Sequence, residues 1–290
     1  MDEPSRSRRR FLKSAGAGVA ALAGAGAIGA AERSASPPAA GKRRKRFRLG
    51  LTTYMFKHYD LDKTLQIARR VAVDLICLRS NLLPLEATGE QVAAALRKVR
   101  QAGLEVYGGG VIYMRNERAL ERAFAHAKAA GYRLISASIA PKLLPLVDRK
   151  VKASGLRIAI HNHGPEDRAY PTPVAIYEKV KPFDRRIGIC HDTGHTLRAG
   201  MDPTEATRKT ADRTFDLHLK DVDAAKAGGH STELGRGVMD IPAFLRMLRE
   251  IGYGGIVGIE YEKHMEDLLP GLAESVGYAR GVLDVIERED

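Results

Sequence analysis

From residue 47 onward, short runs rich in β-branched and aromatic residues alternate with longer stretches whose apolar positions recur every three or four residues. The short runs predict strands over Phe47–Met55, Val73–Arg79, Leu104–Met114, Arg133–Ile139, Leu156–His163, Ile187–His195, Phe215–Asp221 and Gly255–Glu262. The longer stretches predict helices over Leu61–Val71, Gly89–Ala102, Glu117–Ala130, Lys142–Ala153, Pro173–Val180, Pro203–Asp212, Ile241–Ile251 and Leu268–Glu287. Several helical windows close on a glycine (Gly103, Gly131, Gly155, Gly252), the residue that takes a left-handed cap without steric cost. Strict alternation calls for parallel strands joined by helical crossovers. Eight such units in about 240 residues is the size of an α/β fold of the (β/α)8 TIM barrel type. An open doubly wound sheet is the competing architecture. It lacks its main sign here, since no Gly-x-Gly-x-x-Gly follows the first strand and Gly108-Gly109-Gly110 lies inside a strand window.

Residues 1–46 break this pattern. Ser7-Arg8-Arg9-Arg10-Phe11-Leu12-Lys13 is a basic opening, Ala15 to Ala31 is nearly all Ala and Gly with a few Val, Leu and Ile, and Gly29-Ala30-Ala31 offers small residues for a signal peptidase. The segment resembles a twin-arginine (Tat) signal peptide. That resemblance implies passage through the twin-arginine translocation machinery to a periplasmic or extracellular location. So weakly apolar a stretch makes a poor membrane anchor, so no stable membrane insertion is expected. Residues 32–46, with Pro37-Pro38 and the run Lys42–Arg46, read as a linker, which leaves 47–290 as the barrel domain.

Charge changes the picture once it is located. The net +12 suggests a nucleic-acid partner, but twelve of the 47 basic residues and only three of the 35 acids fall in residues 1–48. The remainder carries 35 bases against 32 acids, too even a balance for a phosphate-backbone surface. A 44% hydrophobic composition supplies a substantial core. Two cysteines, Cys77 and Cys190, cannot build a disulfide framework and are expected in the core.

In a barrel of this kind, function sits at the C-terminal ends of the strands. Alternation places His161 and His163 on one face of the fifth strand. It places Asp192, with His195 just beyond, on the sixth, His218 and Lys220 on the seventh, and Glu260 and Glu262 on the eighth. Four consecutive strands thus end in His, Asp, His and Glu. If those faces point inward, His161, Asp192, His218 and Glu260 form an N/O donor set for one divalent ion, with Mn, Zn, Fe and Co as candidates. Two carboxylates buried together would otherwise be costly. Asn162 and His191 point the other way and take structural roles. His126 and His264 are expected at the surface.

These residues, together with Asp192-Thr193-Gly194-His195, His218-Leu219-Lys220-Asp221 and Gly235-Arg236-Gly237, resemble the xylose isomerase-like barrels. That superfamily holds sugar isomerases and epimerases and also AP endonucleases. The resemblance covers about residues 47–288. It implies metal ligands by position at His161, Asp192, His218 and Glu260, where the family usually has Glu, Asp, His and Glu. His161 is therefore a departure. It places the two-glutamate epimerase mechanism in doubt and adds one unit of positive charge to the site, which favours Zn or Fe over Mn. The implied chemistry is proton removal beside the carbonyl of a small-molecule sugar. Glu260, His163 and His195 are the candidate bases. Lys220 is a hydrogen-bond donor to a developing oxyanion, and Arg236, Lys220 and His163 are candidate substrate contacts. A lyase or hydratase acting on keto-sugars and a non-catalytic sugar-binding barrel are the alternatives. The nuclease reading is disfavoured by the near-neutral body, the export signal, and Arg79 and Tyr113 standing on strands two and three where extra metal-binding histidines would be needed. The sequence does not set the oligomeric state.

Overall fold

The computed structural model describes residues 47–289. The expected signal peptide (1–31) and linker (32–46) lie outside the described residues. Eight parallel strands form the barrel: β1 (Arg48–Leu51), β2 (Leu75–Leu78), β3 (Glu105–Met114), β4 (Leu134–Ile139), β5 (Arg157–His161), β6 (Ile187–Asp192), β7 (Thr214–Leu219) and β10 (Ile256–Ile259). A two-stranded antiparallel ribbon, β8 (Asp221–Val222) with β9 (Ser231–Thr232), stands between β7 and β10 in the chain. The barrel closes in the order β1-β10-β7-β6-β5-β4-β3-β2, with Leu49 opposite Val257 at the seam. This is the TIM barrel that the alternation predicts.

The helices start where short polar side chains satisfy their first free N–H groups. Asp60 accepts from Lys63 N ahead of α1 (Leu61–Arg70), and Thr88 and Gln91 form a reciprocal capping box on α2 (Gly89–Gln101). Asn116 caps α3 (Glu117–Ala130). Two helices, α3 and α4 (Leu144–Ser154), end on Gly131 and Gly155 at φ of 68° and 72°, as the glycine pattern requires. Further helices are α5 (Pro173–Val180), α6 (Thr193–Arg198), α7 (Pro203–Thr210), α8 (Ile241–Glu250) and α9 (Leu269–Glu289). No helix among the described residues is long and apolar enough to cross a membrane.

Outward strand residues such as Ile76, Leu78, Ile135 and Val257 pack with the apolar faces of the helices in one continuous core. The barrel interior is unusually polar. Asp216 is fully buried on β7, accepts from Ser136 Oγ at 2.5 Å, and lies 3.6 Å from Cys190 Sγ. Cys77 is buried there too, on the inward parity of β2.

Several boundaries differ from the sequence expectation, each for a local reason. β1 stops at Leu51, and Tyr54–Phe56 turn in a 3-10 helix. The sixth strand ends at Asp192 rather than at His195, because the Asp192 carboxylate caps α6 by accepting from His195 N at 2.8 Å. His126 is a correction: it is only 5% exposed, its ring set edge-on to Tyr132 beneath α3. Helical spacing from Leu120 and Ala123 puts it on the packed face, which its polarity obscured.

Candidate functional site

The motif Asp192-Thr193-Gly194-His195 divides its labour residue by residue. Asp192 ends β6 inside the barrel with 0% exposure. Thr193 clamps the end of β7: its Oγ1 donates to Lys220 O at 2.8 Å and accepts from Lys220 N at 2.9 Å. Gly194 leaves room for the Lys220 stem, whose carbons would stand 2.7 Å from any added Cβ. In the neighbouring His161-Asn162-His163, Asn162 turns away as expected. Its side chain donates to Asp192 O (3.1 Å) and accepts from Asp192 N (2.8 Å), locking the ends of β5 and β6 together. His191 also faces outward, with both ring nitrogens 2.8 Å from the hydroxyls of Thr207 and Thr196.

Held this way, His161, Asp192, His218 and Glu260 converge, each 5% exposed or less. One donor atom from each lies within 4.8 Å of the others. His161 Nε2 is 3.1 Å from His218 Nδ1 and 3.5 Å from Asp192 Oδ2, and His218 Nδ1 is 2.5 Å from Glu260 Oε2. Ligands bound at about 2.0–2.2 Å in tetrahedral geometry stand roughly 3.3–3.6 Å apart. The 3.1 and 3.5 Å separations come close to that spacing and the His218–Glu260 pair is closer still, so the four residues form a candidate donor set for one divalent ion. The polar bookkeeping agrees: Asp192 Oδ2 and Glu260 Oε2 are buried without a well-formed hydrogen bond, although Lys220 Nζ stands within ion-pair range of the first and His218 Nδ1 of the second. Cys190, assigned to core packing by sequence, also comes within reach of His161 and His218.

One ammonium sits among these carboxylates. Lys220 Nζ lies 3.0 Å from Asp192, 3.5 Å from Glu260 and 3.2 Å from Glu262. Burial opposes a charged lysine, but these carboxylates outweigh it and hold its pKa well above the usual value. Burial would also raise Asp192 and Glu260, yet Lys220 foremost among their neighbours holds both well below the usual carboxylate range. His218 is pushed up, burial being overcome by Cys190, Glu260 and Asp216, whereas burial drives His161 down to the neutral form a ligand needs.

Around this set the remaining candidates separate. His163 lies beyond the end of β5, its ring 4.6 Å from that of His161 and stacked on Tyr113, with Nδ1 3.2 Å from Asp167 Oδ2. His195 is different. Arg198 donates to its Nδ1 at 3.2 Å, which places the ring proton on Nε2, and burial lowers its pKa to about 4. Of the candidate bases it is therefore better suited to donating a hydrogen bond than to accepting a proton. Arg236 is not brought into the set: its guanidinium pairs with Glu274 and is largely exposed. The loop around it has a structural purpose, since Gly235, Gly237 and Met239 donate their N–H groups to the buried Asp221 carboxylate. Glu262 contacts Lys220 and is pushed up to about 7, chiefly by burial.

Sequence reasoning missed Asp216. It sits 3.5 Å from His218 Nε2, on the side of the ring away from His161 and Glu260, where a carboxylate would orient the imidazole if it served as a ligand. Its position two residues before His218 on the inward face was the available signal.

His191 supplies a pH prediction. Burial lowers its pKa from 6.5 to about 4. The unfolded chain therefore takes up this proton first. The stability His191 contributes is complete above pH 6.5 and is lost as the pH falls toward 4. Ring nitrogen chemical shifts should report a neutral His191 at about pH 5; protonation near the ordinary value would contradict its buried pairing with two threonines.

Comparison with known proteins follows the same lines. Residues 60–282 match the family described as xylose isomerase-like TIM barrel. The chain is 28% identical over 154 residues to the rhizopine catabolism protein MocC of Rhizobium meliloti, covering 48% of this chain and 45% of that one. It is 30% identical over 118 residues to the inosose dehydratase of Geobacillus kaustophilus, covering 35% of this chain and 36% of that enzyme. The chain thus spans less than half the length of these curated relatives. Among solved structures, L-ribulose 3-epimerase superposes with a TM-score of 0.68 at 17% identity, covering 84% of this chain and 97% of that one. The IOLI protein with a bound zinc atom gives 0.67 at 17% identity, covering 83% and 99%. At such identities the superpositions speak for the fold, and the sequence match speaks for descent. The chain belongs to the xylose isomerase-like TIM barrel family.

Proposed function

We propose that this chain is a metal-dependent sugar isomerase or epimerase that moves a proton on the carbon beside a carbonyl. The observation that carries the proposal is the convergence of His161, Asp192, His218 and Glu260 on one point at the C-terminal mouth of the barrel. A divalent ion held there would polarise the carbonyl and stabilise charge developing on its oxygen.

The chain's own residues supply the rest. His163 is the favoured base. Burial lowers its pKa, but Asp167 beside Nδ1 opposes that shift, favours the proton on that nitrogen and leaves Nε2 free to accept one. Lys220 Nζ, already among three carboxylates, donates to an oxygen that gains negative charge. Glu262, pushed up to about 7 chiefly by burial, is a group beside Lys220 that can hold a proton near neutrality. His195 Nε2–H donates to a substrate hydroxyl.

A dehydratase shares the first step and then expels a β-hydroxyl. The sequence match to an inosose dehydratase keeps this second reading in view. The two separate in one experiment: turnover of keto-sugars in D2O. Isomerase or epimerase action puts solvent deuterium on the carbon beside the carbonyl, whereas dehydration yields an enone absorbing in the ultraviolet. Neither signal from the metal-loaded protein over a broad panel of ketoses and inososes would overturn the enolisation reading.

The opening Ser7-Arg8-Arg9-Arg10-Phe11-Leu12-Lys13 supports a further part of the proposal, export by the twin-arginine route. That route carries folded proteins, so the ion could be loaded before export. Fractionation should find the protein outside the cytoplasm, and the double variant Arg8→Lys, Arg9→Lys should retain it inside. Equal distribution of the two would refute the route.

A further inference from the structure

The four donor residues occupy one half of the barrel mouth, on or just beyond β5, β6, β7 and β10. The other half carries cations that no carboxylate among the described residues pairs with. Arg79 follows the last residue of β2, and around the closed barrel β2 stands opposite β6, the strand of Asp192. Its direction follows from the strand. Ile76 and Leu78 pack outward in the core shared with the helices, while Cys77 lies inside the barrel near Tyr107 and Asp216. Arg79, two residues on, shares the inward face at the mouth.

Two observations show that the Arg79 guanidinium lacks an acidic or hydrogen-bonding partner among the described residues. Its Nε is buried with no hydrogen bond. No described carboxylate pairs with its guanidinium, which instead lies over the Tyr54 ring at 4.6 Å. Its backbone is fixed, N donating to Thr53 Oγ1 at 2.9 Å and O accepting from Leu82 and Leu83, so the head is presented from a rigid base. Two neighbouring cations repeat the arrangement. Lys57 lies 5.8 Å from the Tyr54 ring and Arg115 lies 5.4 Å from Tyr113, and neither pairs with a described acid. Tyr113 in turn stacks on His163, which joins this half of the mouth to the donor set.

A half-buried guanidinium with an unused N–H costs free energy unless a ligand completes it. A planar fork held against an aromatic face suits a carboxylate or a phosphate. We propose that Arg79 receives an oxyanion carried by the substrate, so that the favoured substrates are acidic sugars gripped at both ends. The keto end would meet the donor set and the anionic end Arg79. This rests on the keto-sugar reading above and narrows its substrate class.

Binding, rather than turnover, tests it. The full-length, metal-loaded protein is titrated calorimetrically with D-fructose and D-tagatose, with their uronates, and with their 6-phosphates. The wild type should bind at least one of the two anionic series ten-fold or more tightly than the matching neutral sugars, and which series it prefers tells carboxylate from phosphate. Arg79→Gln should erase that preference and leave neutral-sugar affinity unchanged. Arg79→Lys should keep part of it, and Arg118→Gln, on the exposed surface of α3, should keep all of it. Neutral and anionic sugars binding equally to the wild type, or a preference that survives Arg79→Gln, would overturn the proposal while leaving the keto-sugar reading standing. Failure of every sugar to bind would count against that reading as well, and this one would fall with it.

Discussion

Replacing Asp192 with Asn is expected to weaken metal binding by more than about a hundredfold and to lower turnover by at least about a thousandfold. The Asp192 side chain acts twice. One oxygen caps α6 by accepting from His195 N, and the other faces His161 and Lys220. Alanine would remove the cap as well, at a cost of about 1 kcal/mol. Asparagine keeps the volume and the cap and removes only the negative charge. His218→Ala should give a comparable loss, because it deletes the ring nitrogen nearest both His161 and Glu260. Chelator competition measures the affinity and the deuterium assay the turnover. A variant that folds, melts near the wild type and retains its metal would show that Asp192 is not a ligand.

The second large effect concerns Lys220. Its ammonium is the one lysine or arginine cation within ion-pair range of Asp192, Glu260 and Glu262 among the described residues. Lys220→Met leaves three carboxylates crowded in a buried space. Removing one partner of a buried ionic set costs about 3–5 kcal/mol, which for a chain of this size lowers Tm by on the order of 10 °C in metal-free protein. A divalent ion would restore much of the lost charge balance. Added Zn or Co should therefore raise the Tm of the variant more than that of the wild type. Thermal melts with and without metal test this. Equal melting of metal-free variant and wild type would mean that the lysine is not what neutralises these acids.

The contrast between what the chain announces and what it hides follows from physics. Alternation and capping residues such as Thr88 and Asn116 are local, so the barrel and most helix starts were legible. Period-two spacing on consecutive strands brought His161, Asp192, His218 and Glu260 into view, since neighbouring parallel strands of a barrel carry their last inward residues to the same end, as Asp192 beside His218 shows. Partnerships made across the fold were not legible. The shift of His195 to a donor comes from Arg198 one helical turn on, and the exclusion of Arg236 comes from Glu274 on α9. Asp216 looked like an ordinary strand acid until the fold placed Ser136 and Cys190 against it. The break between β6 and α6 was hidden because one carboxylate serves as both cap and candidate ligand.

The central claim is that these four side chains share one cation, and counting that cation tests it most directly. Elemental analysis of folded, full-length protein purified without chelators, then equilibrated with Co and passed through a desalting column, should find about one divalent ion per chain, and close to none in Asp192→Asn. A wild-type protein that is folded yet carries no ion, or an Asp192→Asn variant that holds as much as the wild type, would contradict the account.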